Sequence, residues 1–264
     1  MISIVIPVTH GKYLNEVFNS INKNSYQDFE VIVVNSSEKP EISKIINSFN
    51  FLEIKVPSDT KALKARYIGH LNAKGDYELL LDETRVIADS LLKKLNDLDY
   101  DMVIIGEKEI IQSYWTYLAD LDKNLNEGIG DPLENGYVLP RYFKKDVIDK
   151  AFEKIKQKLP MNIFEKASYA EHHIIFYESY QISKSIFYLK DKLIYHYGDN
   201  SILEIIKKYH KYGLSSRTLY GTSYEFTVKY SSHKRRHLDF YNKIKLSPLY
   251  LIRGISYFIG SLGI

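Results

Sequence analysis

The feature that most limits how this chain folds is a rhythm in its first hundred residues. Short β-branched runs alternate with stretches whose apolar residues recur at helical spacing. Ile2 to Pro7 is an apolar run stopped by proline and predicts a buried strand. Leu14, Val17, Phe18 and Ile21 then mark an amphipathic helix. Phe29 to Val34, with Val-Ile-Val-Val at its centre, predicts a strand buried on both faces, and Ile42, Ile45, Ile46 and Phe49 a second helix. Phe51 to Val56 reads as a third strand and Ala62 to Ala73 as a third helix, with Gly75 in the C-cap position. Tyr77 to Leu81 is a fourth strand that runs straight into Asp82-Glu83-Thr84. Alternating strands and helices imply right-handed parallel β-α-β units. Ligands bind such sheets at the carboxyl ends of the strands. The polar residues there are therefore the first suspects: Thr9 and His10, Asn35 and Ser36, and Asp82 to Thr84.

Further along, Met102 to Gly106 reads as a strand, and Asn124 to Asn135, with Pro132 and nearby glycines, as a loop. From Val138 onward helix and strand signals mix, with a helix near Lys144 to Lys158, then Ala167 to Tyr177 and Ile182 to Leu189. Lys192 to His196 predicts a short strand, and Ser201 to Tyr212 a helix with Gly213 just past its end. At 264 residues with 45% apolar side chains, the chain can bury a full core. It has no cysteine, which removes disulfides and thiolate metal sites and fits a reducing interior. The N-terminal apolar run is too short for a signal peptide, and no stretch reaches the ~18 uninterrupted apolar residues of a spanning helix. Neither export nor a conventional transmembrane anchor is expected.

With these segments laid out, the chain resembles the family 2 glycosyltransferases, which share the GT-A fold. The resemblance rests on Ile4-Val5-Ile6-Pro7 followed by Tyr13-Leu14, and on Tyr26-Gln27-Asp28-Phe29-Glu30-Val31-Ile32-Val33-Val34. It continues through Ala65-Arg66-Tyr67-Ile68-Gly69 and Ala73-Lys74-Gly75-Asp76-Tyr77. It covers residues 2 to 90 well and continues more thinly to about residue 213. The fold class it implies is α/β: a GT-A-type, Rossmann-like nucleotide-binding domain with a mixed, mainly parallel sheet and a C-terminal helical extension. Residues 1–213 would form the catalytic domain, with a nucleotide-sugar-binding half (1–100) and an acceptor-side half (101–213). Residues 214–264 would be a basic, amphipathic extension.

The departures from the family pattern fall where the chemistry sits. Relatives carry a pair of aspartates after the second strand, one of which accepts hydrogen bonds from the nucleobase; here Asn35-Ser36-Ser37 stand, and Asn35 or Ser36 offers a neutral acceptor. Asp-x-Asp becomes Asp82-Glu83-Thr84. Hard cations prefer carboxylate oxygens, so the resemblance implies Mg²⁺ or Mn²⁺ held by Asp82 and Thr84. His196, in Tyr195-His196-Tyr197, is a third ligand by likeness to relatives. The family's Glu-Asp is replaced by Glu171-His172-His173, so His172 or Glu171 would be the base for the acceptor hydroxyl. Arg141, after Leu139-Pro140, has the fork for a phosphate, and Pro7, Thr9, His10, Arg66, Glu83 and Thr84 would line the donor site.

Bland readings stand beside these. Asp82 could cap a turn, and the adjacent His172 and His173 cannot both face one pocket. The charge is uneven: residues 205–264 hold eleven Lys/Arg against Glu225 and Asp239, or +9, leaving −6 on the first 204. That basic end includes His233-Lys234-Arg235-Arg236-His237, followed by the apolar stretch from Leu246 to Gly260. The pattern predicts an interfacial helix on an anionic membrane surface, or else a helix packed on the catalytic domain or a second subunit. Nothing resembles a nucleic-acid-binding motif. The expected activity is an inverting, metal-assisted transfer of a sugar from a nucleoside-diphosphate donor to a glycan or lipid-linked acceptor. Its expected place is the cytoplasm, peripheral on the inner face of the cell membrane. The alternative is a catalytically silent GT-A domain acting as a membrane-associated scaffold.

Overall fold

The structure, a computed structural model, describes residues 1–126, 139–229 and 238–264. The β-branched runs form strands β1 (Ile2–Val8), β2 (Phe29–Asn35), β3 (Leu52–Lys55) and β4 (Tyr77–Leu80), followed by β5 (Arg85–Ile87), β6 (Met102–Glu109), β7 (Tyr142–Lys144) and β8 (Ile186–His196). They make one sheet in the order β3-β2-β1-β4-β7-β6-β8-β5. The β3 to β4 half is parallel, β7 is antiparallel to both its neighbours, β6 and β8 are parallel, and β5 is antiparallel to β8. Only β5 and β7 among the described strands therefore run against the rest. The carboxyl ends of six strands and the amino ends of these two share one edge.

Side chains alternate between the faces of a strand, so the β-branched runs feed two cores. Ile4, Ile6, Leu79 and Val103 point to one side, with Val17, Phe18 and Ile21 of α1 (Leu14–Asn22), Ile42 and Ile46 of α2 (Pro40–Ser48), and Leu91, Leu92 and Leu95 of α4 (Leu91–Asn96). Val5, Ile32, Leu80 and Met102 point to the other, against α3 (Ala62–Asn72), α6 (Lys145–Lys158), α7 (Met161–Lys166) and α8 (Glu171–Ile182). The remaining helices are α5 (Tyr114–Asn126), α9 (Ile202–Ser216), the short α10 (Phe226–Lys229) and α11 (Phe240–Leu262).

Only four residues separate β4 from β5, although four strand spacings lie between them in the sheet order. A turn closed by the Arg85 N–H on the Asp82 carbonyl (3.1 Å) shortens the link further. Its reach is about 14 Å, against about 19 Å across a flat sheet. The sheet must curl, and β5 returns over the end of α1, where Ser20 Oγ accepts the Ile87 N–H (3.1 Å) and Asn24 Nδ2 donates to the Ala88 carbonyl (2.8 Å).

Four local expectations are corrected. Gly75 is not a left-handed cap: α3 ends at Asn72, and Gly75 lies so close to β1 that a Cβ there would sit 2.7 Å from the Ser3 nitrogen. The Lys192–His196 strand begins earlier, at Ile186, because β8 is paired along all of β6, which takes residues 186–189 into the sheet. Asn124 belongs to α5, which continues to Asn126; the rest of the loop expected through Asn135 lies outside the described residues, as does the run from His233 to His237. Finally, α9 does not stop at Gly213 but runs through it to Ser216. There α9 and α11 meet backbone to backbone: a Cβ on Gly213 would fall 2.1 Å from the Tyr257 carbonyl, and one on Gly260 would fall 2.1 Å from that of His210.

The C-terminal helix is thus packed on the domain. Leu246 and Leu249 join Leu118 of α5 and Ile205 of α9 in a third core. Buried Asp122 accepts from Arg253 Nη1 (2.8 Å) and from the Tyr250 hydroxyl, so the arginine that interrupts the apolar run points inward. Pro248 has no N–H for the Ile244 carbonyl, which accepts from the Ser247 hydroxyl instead (2.8 Å).

Candidate active site

The shared edge brings together residues far apart in sequence. Asp82 follows β4, Glu107 and Glu109 end β6, and His196 ends β8. Because β7 and β5 run in reverse, Arg141 and Arg85 arrive at the same edge from the starts of those strands. Arg66 reaches the edge from α3 and is 1% exposed, while Glu171 and His172 come from the first turn of α8.

Asp82 lies inside a ring of guanidinium groups. Arg66 Nη2 donates to its Oδ1 and Arg85 Nη1 to its Oδ2; Arg141 Nη1 lies 3.4 Å from Oδ2. Burial opposes ionisation of this carboxyl, but Arg85, Arg66 and Arg141 outweigh it and hold Asp82 well below the usual carboxylate range. Glu107 bridges two of the same arginines: its Oε1 accepts from Arg85 Nε (3.1 Å) and from Arg141 Nε. It too is depressed, against its burial, by Arg141, Arg85 and Lys123. Lys123 of α5 also reaches Glu109 (2.7 Å). Glu109 accepts from His196 Nδ1 (2.9 Å) and is held at about 2, because this hydrogen bond and the Lys123 charge overcome its burial. Burial and the Arg85 charge push His196 down to about 4, so the imidazole is neutral and donates from Nδ1.

His172 has a defined tautomer. Its Nε2 lies 2.7 Å from Arg66 Nη2 and 3.1 Å from Arg141 Nη1. Guanidinium groups only donate, so Nε2 accepts and the proton is on Nδ1. Burial and these two cations push His172 down to about 3. Its lone pair is engaged, which removes it as a proton acceptor in this arrangement. Glu171 is the opposite case: burial, then the neighbouring Asp82 charge, raise its carboxyl against the pull of Arg66, 3.8 Å away. It sits beside Ala170, whose φ of 61° is a left-handed conformation that costs a non-glycine residue energy. His173 faces away, edge-on to Phe226, so the two histidines do diverge.

Other expected site residues have structural work. Glu83 does not turn toward Asp82; its carboxylate accepts the backbone N–H groups of Thr9 (3.3 Å), His10 (3.0 Å) and Gly11 (2.6 Å), fixing the turn after β1. Asn35 is 1% exposed; it donates to Glu53 (2.7 Å) and accepts from the Ser37 N–H (2.9 Å). Ser36 Oγ donates to the Val8 carbonyl (3.0 Å) and lies 3.2 Å from Thr9 Oγ1. The acceptors expected for a nucleobase are therefore turned inward, with Thr9 and His10 exposed at that end. Pro7 is held within β1, and the Thr84 carbonyl accepts the Tyr197 N–H (2.9 Å) beside the stacked rings of Tyr13 and Tyr197.

The Asp82, Thr84 and His196 set does not fit a divalent ion. Both Asp82 oxygens already face guanidinium donors and both Glu83 oxygens face backbone N–H groups, while His196, whose Nδ1 donates to Glu109, keeps only its Nε2 as a ligand atom, and one imidazole does not make a site. Among the described residues, ligand atoms of three His, Asp or Glu side chains converge only at His70, Glu78 and Asp149. That group already encloses the Lys145 ammonium, 2.9 Å from Glu78 and 3.0 Å from Asp149. Sequence reasoning missed Arg85, Glu107, Glu109 and Lys123. The one local signal was the position of Arg85, directly after Asp82-Glu83-Thr84.

Comparison with known proteins agrees with this architecture. Residues 3–125 match the model of the family described as Glycosyl transferase family 2. Glycosyltransferase GlyG of Streptococcus pneumoniae is 28% identical over 114 residues, covering 39% of this chain and 38% of its own length. An uncharacterized glycosyltransferase of Haemophilus influenzae is 35% identical over 103 residues, covering 36% of this chain and 41% of its own. The matches thus span about two-fifths of these curated relatives. Among solved structures, S. aureus TarS 1–349 superposes over 98% of this chain and 80% of its own, with a TM-score of 0.59 at 16% identity. The mannosyltransferase PcManGT of Pyrobaculum calidifontis, in complex with GDP-Man and Mn²⁺, does so over 97% and 73%, with a TM-score of 0.57 at 12% identity.

Proposed function

We propose that this chain, a glycosyltransferase family 2 member by its residues 3–125 and a GT-A protein by its fold, transfers a sugar from a nucleoside-diphosphate donor to an acceptor hydroxyl. The observation that carries the reading is the gathering of Arg85, Arg141, Asp82 and Glu171 at the sheet edge where ligands of such folds bind. TarS 1–349 has been solved with UDP and with UDP-GlcNAc, which supports a nucleotide-sugar donor here.

In the proposed reaction the acceptor oxygen attacks the anomeric carbon from the face opposite the diphosphate, and the configuration inverts. The bond from that carbon to the β-phosphate oxygen breaks, and its electron pair leaves with the nucleoside diphosphate. The acceptor proton passes to the Glu171 carboxylate. A raised carboxyl is the better base of the two candidates, since His172 has no free lone pair. His172 instead holds Arg66 and Arg141 in place. PcManGT has been solved with GDP-Man and Mn²⁺, but the carboxylates at positions 82 and 83 are already engaged, and no step is routed through a metal.

A lipid-linked acceptor and a peripheral place on a membrane belong to the same proposal. No described helix is long and apolar enough to cross a membrane. Yet α11 exposes Phe240, Ile244, Leu251, Ile255, Phe258 and Leu262 along one stripe, with Phe240 79% exposed. Such a stripe on the basic end of the molecule suits an interfacial helix.

Purified protein screened with nucleotide sugars tests the reading. Release of nucleoside diphosphate is expected with at least one donor. Glu171→Gln should slow turnover by ~10²-fold or more while donor binding persists. The acid limb of the pH–rate profile should lie above 4.5, the ordinary glutamate value. Full turnover in Glu171→Gln would remove the assigned base, and no binding of any nucleoside diphosphate would favour a silent scaffold.

A further inference from the structure

Three arginines converge where the family resemblance calls for a metal. Arg85 and Arg141 are 14% and 11% exposed at the sheet edge, and Arg66 is 1% exposed. Between them they face two carboxylates, Asp82 and Glu107. Three arginines against these two carboxylates leave the group of five one positive charge in excess, which the Glu171 carboxylate, 3.8 Å from Arg66, balances until it takes up a proton. Guanidinium forks match phosphate oxygens in pairs, and where they are largely shielded from water they do for a developing diphosphate charge what a divalent ion does elsewhere.

Resting on the proposed nucleotide-sugar activity, we infer that Arg85 and Arg141 bind and neutralise the donor diphosphate without a divalent cation. Asp82 is then an internal anion that keeps the forks open until phosphate oxygens replace it. As the sugar–oxygen bond breaks, its electron pair goes to the β-phosphate oxygen, and the added charge falls on the guanidinium N–H groups.

The two roles for Asp82 predict opposite signs. A metal ligand, once removed, loses the diphosphate; a competing anion, once removed, leaves the arginines freer to hold it. Calorimetry with UDP, GDP and inorganic pyrophosphate, each in EDTA and in Mn²⁺, tests this on the full chain. Binding of at least one nucleotide in EDTA is expected, within ~3-fold of its value with Mn²⁺. Asp82→Asn should hold or tighten it, and Arg85→Gln or Arg141→Gln should weaken it by ~10-fold or more. Arg141→Lys, which keeps the charge but loses the fork, should fall between, and circular dichroism establishes that each variant is folded. Binding only with Mn²⁺, or loss of binding in folded Asp82→Asn, overturns the inference and leaves the transferase reading standing. No binding in either buffer overturns both.

Discussion

At the scale of single residues, His172 and His196 show how burial beside cations sets chemistry. They are held at about 3 and about 4, against an ordinary value of 6.5, by burial first and then by Arg66 and Arg141 for one, Arg85 for the other. Both shifts are downward, so the folded protein stays neutral where the unfolded chain takes up protons. Their contribution is complete above 6.5 and is lost as the pH falls toward 4 for His196 and toward 3 for His172, with a limiting slope of about 1.4 kcal/mol per pH unit for each histidine. Urea midpoints should therefore drop between pH 7 and 5, and His196→Gln should flatten that drop; an unchanged slope would contradict the placement. Much of this site was hidden in the sequence for a physical reason. Asp82, Arg66 and Arg141 stand next to recognisable strand ends or motifs, whereas Glu107 and Glu109 look like the polar tail of β6. Arg85 gains meaning only because β5 runs backwards, and strand direction is set by the curl of the whole sheet.

Elements tell a similar story. The strand and helix rhythm of residues 2 to 81 was legible because every element there buries an apolar face with its own periodicity. Gly213 misled because a glycine near a helix end resembles a cap, while its actual role depends on α11, some 45 residues later. The missing side chains at Gly213 and Gly260 let two helix backbones touch. Gly260→Ala should thus destabilise the protein by about 1–3 kcal/mol through overpacking. Gly254→Ala, in the same helix with nothing within 4 Å, should gain up to ~1 kcal/mol from helix propensity. Thermal melts of the two variants provide the comparison, and equal shifts would mean that the helices are not in contact.

For the whole molecule, the C-terminal helix has one side packed on the domain and one side open. Arg253, Tyr250, Leu246 and Leu249 fasten it to α5 and the third core, while Ile255 and Phe258 face outward. Flotation with anionic vesicles should carry the wild-type chain upward, and the double variant Ile255→Asp, Phe258→Asp should remain below with its fold intact. Flotation of both alike would assign the stripe to a protein partner.

The short link from β4 to β5 acts as a tether. Because it holds the Asp82 carboxylate and pulls the outermost strand inward, the curl of the sheet and the position of the anion among the arginines are set by the same few peptide units. Any shift of the β5–β8 margin is then felt at the ligand, and a one-residue insertion there should loosen both together.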